Sequence, residues 1–138
     1  MISSGTYSGK GKIIGLVDDS LEAYDITKMA GFCDEIRLQS NVTKNDAIGF
    51  SGAKQCTIDL CGYTLNAKIS VHIDKASITI TSTGGRGTLG SAEKSPTVTV
   101  DGAGYGNTLT LKNLYVYGIY NYSAVSVAII TENSVVNQ

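Results

Sequence analysis

Residues 56–65 read "CTIDLCGYTL", from Cys56 to Leu65, two short apolar/polar alternations separated only by Cys61-Gly62. Alternation with a period of two marks a strand with one face buried. Glycine supplies the backbone freedom that a sharp corner needs. The stretch therefore reads as strand, corner, strand, with Ile58 and Leu60 inward, Thr57 and Asp59 outward, and Cys61 at the corner.

The same pattern recurs after Cys33 in "EIRLQS", "AIGFSG", "ISVHID", "SITITS", "TVTVDG", "TLTLKN", "LYVYG" and "AVSVAI". Ile36, Ile58, Ile78 and Leu109 begin one set of equivalent units, and Val71, Val98 and Val125 lead a second. A spacing of twenty-odd residues holding two or three short strands is the chain needed for one turn of a parallel β-solenoid. A sandwich would carry hairpin signals between neighbouring strands. The one clear Asp-Gly, Asp101-Gly102, leads instead into "GAGYGN". The expected class is all-β, a solenoid with one helix at its N-terminal end. Alternation puts Arg37, Asp59, Thr79 and Thr110 in one outward column, with Arg37 and Asp59 as neighbours.

The helix is expected at about 20–30. In "DDSLEAYDITKMAG" Asp19 can cap the first turn with Glu22 three residues on, and Gly31 can close the last. Ala23, Ile26, Ala30 and Cys33 then share one side. Residues 1–17 read as the closing turn of a preceding unit or a leading strand, and 18–138 as the solenoid domain. "ENSVVNQ" begins another strand with no cap, so a longer solenoid or a partner chain is expected to cover that end.

At 138 residues with 42% hydrophobic content the chain suits one domain. A net charge of -1 without a basic run argues against nucleic acid. No apolar stretch is long enough for membrane insertion. Three cysteines make neither a small disulfide framework nor a four-ligand zinc site. Packing is the expected role of Cys33, Cys56 and Cys61, with a disulfide from Cys33 to Cys56 or Cys61 as the lesser alternative. "GRGTLG", Gly85 to Gly90, matches a dinucleotide fingerprint in letters only, since Pro96 and a strand follow where a helix is required. No cofactor and no metal are expected.

"SLEAYDITKMAGFCDEIRLQSNVT", "TIDLCGYTL", "SITITSTGGRGTL" and "NTLTLKNLYVYG" together resemble the right-handed parallel β-helix of the pectate-lyase-like superfamily, and more narrowly the non-catalytic β-helix regions of bacterial surface proteins and adhesins. The resemblance covers roughly Ser20 to Ile129. It implies that Cys61 stands where the family's turn has asparagine, that Asn113 occupies a corner site of the kind filled by stacked asparagines, and that the protein is extracellular or at the cell surface. The motifs recur in phage tail spikes and polysaccharide lyases.

Lyases and hydrolases on such a scaffold need grouped carboxylates and a basic residue. Asp59, Asp74 and Asp101 lie on different predicted strands or edges and read as solvated surface. His72, the single histidine, alternates with Val71 and Ile73 and reads as an outward histidine without an orienting carboxylate. Five of the eight tyrosines, Tyr105, Tyr115, Tyr117, Tyr120 and Tyr122, fall in "GYGNTLTLKNLYVYGIYNYS". Tyrosine suits stacking on a sugar or a protein partner, and it also stabilises strands and covers edges. The expected function is a non-enzymatic stalk or adhesin-like module meeting glycan or a surface protein through these tyrosines. The alternatives are a tail-spike or virion element, which would be a homo-oligomer, and a fragment of a polysaccharide lyase or glycoside hydrolase.

Overall fold

The computed structural model describes residues 5–7, 12–52, 55–123 and 127–138; the expected lead position Val125 lies outside them. Strand β1 (Gly5–Tyr7) pairs antiparallel with β2 (Ile13–Val17), and helix α1 (Ala23–Ala30) follows. The chain then runs in rounds of three short strands. These are β3 (Glu35–Leu38), β4 (Val42–Thr43) and β5 (Ile48–Gly52); β6 (Cys56–Asp59), β7 (Thr64–Asn66) and β8 (Ile69–Asp74); β9 (Ser77–Thr81), β10 (Gly87–Leu89) and β11 (Val98–Ala103); and β12 (Asn107–Lys112), β13 (Leu114–Val116) and β14 (Ile119–Asn121). Strands β15 (Val127–Glu132) and β16 (Val135–Val136) begin another round.

Equivalent strands of successive rounds pair in parallel, giving three sheets ordered β1-β2-β3-β6-β9-β12-β15, β4-β7-β10-β13-β16 and β5-β8-β11-β14. They are called sheets A, B and C below. The described residues are thus mostly strand with one helix, and the stacking of parallel strands is compatible with a β-helix or solenoid. Parallel pairing in register places like residues over one another. Ile36, Ile58, Ile80 and Leu111 form one buried stack in sheet A, and Cys56, Ile78 and Leu109 form the adjoining one. Leu65, Leu89 and Val116 stack in sheet B, and Phe50, Val71 and Val100 in sheet C.

The register corrects the expected equivalences by two residues. Ile58 lies beside Ile80, not Ile78, and Val71 beside Val100, not Val98. A slip of two keeps every side chain on its own face, so alternation cannot detect it. The outward column divides accordingly. Arg37 and Asp59 are register neighbours as expected, but Thr81 continues their row, whereas Thr79 and Thr110 align with Thr57 and Glu35.

The helix lies where the pattern placed it, with Ala23, Ile26, Ala30 and Cys33 buried. Its start is one turn later than expected: Glu22 is the N-cap, and its N–H donates to the Asp25 carboxylate at 3.1 Å. Asp19 instead accepts the N–H of Thr43 at 2.9 Å and pairs with Lys44 at 3.4 Å, tying the helix approach to β4. Gly31 occupies the C-cap in an ordinary right-handed conformation, its N–H donating to the Lys28 carbonyl. Helix α1 packs on β5, the first strand of sheet C, where the Thr27 hydroxyl accepts the Gly49 N–H at 3.0 Å and donates to the Ala23 carbonyl. An edge-strand donor is thereby satisfied by a side chain.

Candidate functional site

The corner from sheet A to sheet B is built from left-handed residues. Cys61 (φ 52°), Asn113 (φ 58°) and Asn133 (φ 48°) each follow a sheet A strand. Asn113 Nδ2 donates to the Ser82 carbonyl at 2.9 Å, and Asn133 Nδ2 donates to Asn113 Oδ1 at 2.9 Å. In the round below, Ser82 Oγ accepts the Gly62 N–H at 2.8 Å. The asparagine stack therefore spans two rounds and gives way to Ser82 above Cys61-Gly62.

Asp59 belongs to this corner and is not solvated surface. It is 6% exposed, and its carboxylate accepts the N–H of Cys61 (2.9 Å), the N–H of Thr83 (2.9 Å) and the Thr83 hydroxyl (2.8 Å). Burial by itself would raise its pKa, but the Thr83 and Cys61 bonds outweigh that and hold the carboxyl below its ordinary value. Burial, together with the nearby Asp59 charge, pushes the Cys61 thiol up, which opposes thiolate reactivity. Cys33 and Cys56 are buried members of the core. Arg37, the register neighbour of Asp59, pairs with Glu35, as does Lys12 at 3.0 Å. Burial raises the Glu35 pKa less than these two cations lower it. Both carboxylates are thus occupied in holding corners and columns.

The five tyrosines take up positions on two sheets and one turn. Tyr115 on β13 and Tyr117 just after it make an edge-to-face pair with ring centroids 5.1 Å apart, on the sheet B side. Tyr120 on β14 and Tyr122 just after it are near-parallel at 5.8 Å, on the sheet C side. Gly118 (φ 85°) forms the corner between the pairs, and a side chain there would strike Ser95 Oγ at 2.8 Å. Tyr105 projects from the β11–β12 turn between Gly104 and Gly106, both left-handed, and is 87% exposed. Tyr120 and Tyr122 are more than half exposed, whereas Tyr115 and Tyr117 are half-buried.

His72 has the carboxylate partner that its sequence context lacked. Its Nδ1 lies 3.3 Å from Asp101 Oδ2, across the β8–β11 ladder in which the two residues are register partners. The expected match of Val71 with Val98 would have set His72 beside Thr99; the two-residue slide brings Asp101 there. The signal available in the sequence was the outward polar residue in each of "ISVHID" and "TVTVDG", but only the register selects Asp101 over Thr99. Asp101 Oδ1 also accepts the Gly102 N–H at 2.8 Å, so both carboxylate oxygens are engaged. Thr99 and Tyr120 are the adjoining outward register pair, and the Tyr122 N–H donates to the Val100 carbonyl, carrying the ladder one residue past β14 toward Asp101. The outer face of sheet C thus presents His72, Asp101 and two exposed tyrosines on three consecutive strands.

Among the described residues no three His, Cys, Asp or Glu side chains converge as metal ligands, and no helix is long and apolar enough to cross a membrane. "GRGTLG" runs through strand β10 and is followed by a single 3-10 turn, Ala92–Lys94, before β11, so no helix N-terminus faces its glycines. Comparison with protein-family models, with curated proteins and with solved structures finds no match for this chain.

Proposed function

We propose that the chain is a right-handed parallel β-helix segment of the pectate-lyase-like kind, serving as a non-enzymatic stalk or adhesive module at a cell surface. Its outward tyrosines meet a glycan or a surface protein. The observation that carries the reading is the pair of exposed, near-parallel rings of Tyr120 and Tyr122, which fill no part of the core. Tyrosine in such a position offers a flat apolar face and a hydroxyl with little rotamer entropy to lose. Support for the non-enzymatic part comes from the acids: Asp59 and Glu35 are committed to structural bonds. A dyad such as His72–Asp101 orients a base but supplies no nucleophile by itself.

A glycan array and a panel of host surface proteins, probed with the parent and with a variant carrying Tyr115→Ala, Tyr117→Ala, Tyr120→Ala and Tyr122→Ala, test the reading. The parent should bind and the variant should lose about tenfold or more in affinity. Equal binding by both overturns the assignment of the tyrosines. Release of unsaturated products from pectin, alginate or hyaluronan overturns the non-enzymatic reading.

A further inference from the structure

Resting on the glycan arm of that reading, we infer that the outer face of sheet C is a binding site for a neutral oligosaccharide, with Asp101 as its polar anchor and Tyr120 and Tyr122 as its apolar platform. Recognition of a pyranose needs two unlike surfaces close together. A flat apolar face meets the C–H groups, and fixed acceptors meet the hydroxyls. Tyr120 (57% exposed) and Tyr122 (52%) provide the first through the ring faces that their stacking, at 23° and 5.8 Å between centroids, leaves open. Asp101 provides the second.

A carboxylate has about four acceptor sites over its two oxygens. The Gly102 N–H takes one on Oδ1 and His72 Nδ1 faces Oδ2, which leaves each oxygen a further site for one of two neighbouring sugar hydroxyls. Those same two contacts fix the carboxylate before any ligand arrives, so little ordering cost is left to binding. The imidazole of His72 and the hydroxyl of Thr99 extend the polar strip along the same face.

Charge selects the class of glycan. Asp101 places a negative charge in the middle of this face, and Asp74 stands on β8 opposite Ala103, on the neighbouring strand, while the one lysine beside them, Lys75, lies past the strand end with its side chain along Gly104. A uronic or sialic acid would bring its own carboxylate toward them, whereas a neutral hexose would not. The Tyr115–Tyr117 pair lies round the Gly118 corner on sheet B and takes no part.

The test is titration calorimetry at low ionic strength with cellopentaose, mannopentaose and pentagalacturonate. The proteins are the parent, Asp101→Ala, Tyr122→Ala, Tyr120→Ala/Tyr122→Ala and Tyr115→Ala/Tyr117→Ala, each first matched to the parent by thermal melt. At least one neutral pentasaccharide should bind, and bind about tenfold or more tighter than pentagalacturonate. Asp101→Ala and Tyr120→Ala/Tyr122→Ala should each weaken it about tenfold. Tyr115→Ala/Tyr117→Ala should bind like the parent, and Tyr122→Ala, the mildest change, should fall between parent and double variant. Binding that survives Asp101→Ala and Tyr120→Ala/Tyr122→Ala but is lost in Tyr115→Ala/Tyr117→Ala overturns this inference and leaves the glycan reading standing. Pentagalacturonate binding as tightly as the neutral sugars overturns the assigned class. Binding of none of the three by the parent overturns the inference, and a blank glycan array alongside it overturns the glycan reading as well.

Discussion

Asp59 is the residue in which local chemistry and fold stability are most directly joined. Its carboxylate accepts three bonds from Cys61 and Thr83, linking the end of β6 to the loop after β9. Hydrogen bonds to a buried charge contribute more than neutral ones, and removing the acceptor strands the donors. Asp59→Ala should therefore destabilise the protein by about 3 kcal/mol, measured by urea unfolding. The pH dependence follows from the direction of the shift. With the folded pKa held below the unfolded value near 4, the stabilisation is fully present above about pH 4 and is lost as pH falls through the lower folded value. The melting temperature of the parent should drop across that acid range, Glu35 adding in the same sense. An Asp59→Asn variant, already lacking the charge, should show a shallower drop. Identical slopes for the two proteins would remove Asp59 from the account.

Alternation could place a bend at Cys61-Gly62, because glycine follows an apolar-polar run and the next run starts at once. It could not say that Cys61 itself would take the left-handed conformation that Asn113 and Asn133 take in later rounds. A non-glycine residue in that region carries about 1–2 kcal/mol of strain, less for asparagine, whose side chain bonds locally. Cys61→Asn should stabilise the fold by about 0.5–1 kcal/mol, read as a rise of a few degrees in melting temperature. A fall would mean that the Cys61 side chain contributes more in packing than its backbone costs. Helix α1 was set in part by local pattern and in part by its neighbours. Its buried stripe was legible as Ala23, Ile26 and Ala30, but its cap was not, since Asp19 and Glu22 both offer a carboxylate near the start. The approach of β4 decides, by drawing Asp19 to the Thr43 N–H.

Over the whole molecule, stability accumulates from neighbour to neighbour along the stack. The middle strands β6, β9 and β12 are paired on both sides and lie over buried isoleucine and leucine. In β15 and β16, Ile130 and Val135 are nearly half exposed, and among the described residues these strands pair on one side only. Amide hydrogen exchange should therefore be at least about tenfold faster in β15 and β16 than in β9. Equal protection would show that both edges of the last strands are covered in solution.

Most of the longer strands with their inward residues, the corner at Cys61-Gly62 and the position of the helix were legible in the sequence alone, whereas β4, β10 and β14, two or three residues each, are too short for alternation to mark. Each legible feature rests on a local property: side-chain alternation, glycine freedom or helical periodicity. The pairing partners were decided only in three dimensions. Sliding one strand past the next by two residues leaves every apolar side chain facing the core, so the hydrophobic pattern is indifferent to it. Corner lengths and corner bonds choose among the equivalent registers. That choice turned Asp59 from a surface acid into a buried acceptor and set Asp101 beside His72, next to the tyrosines of sheet C.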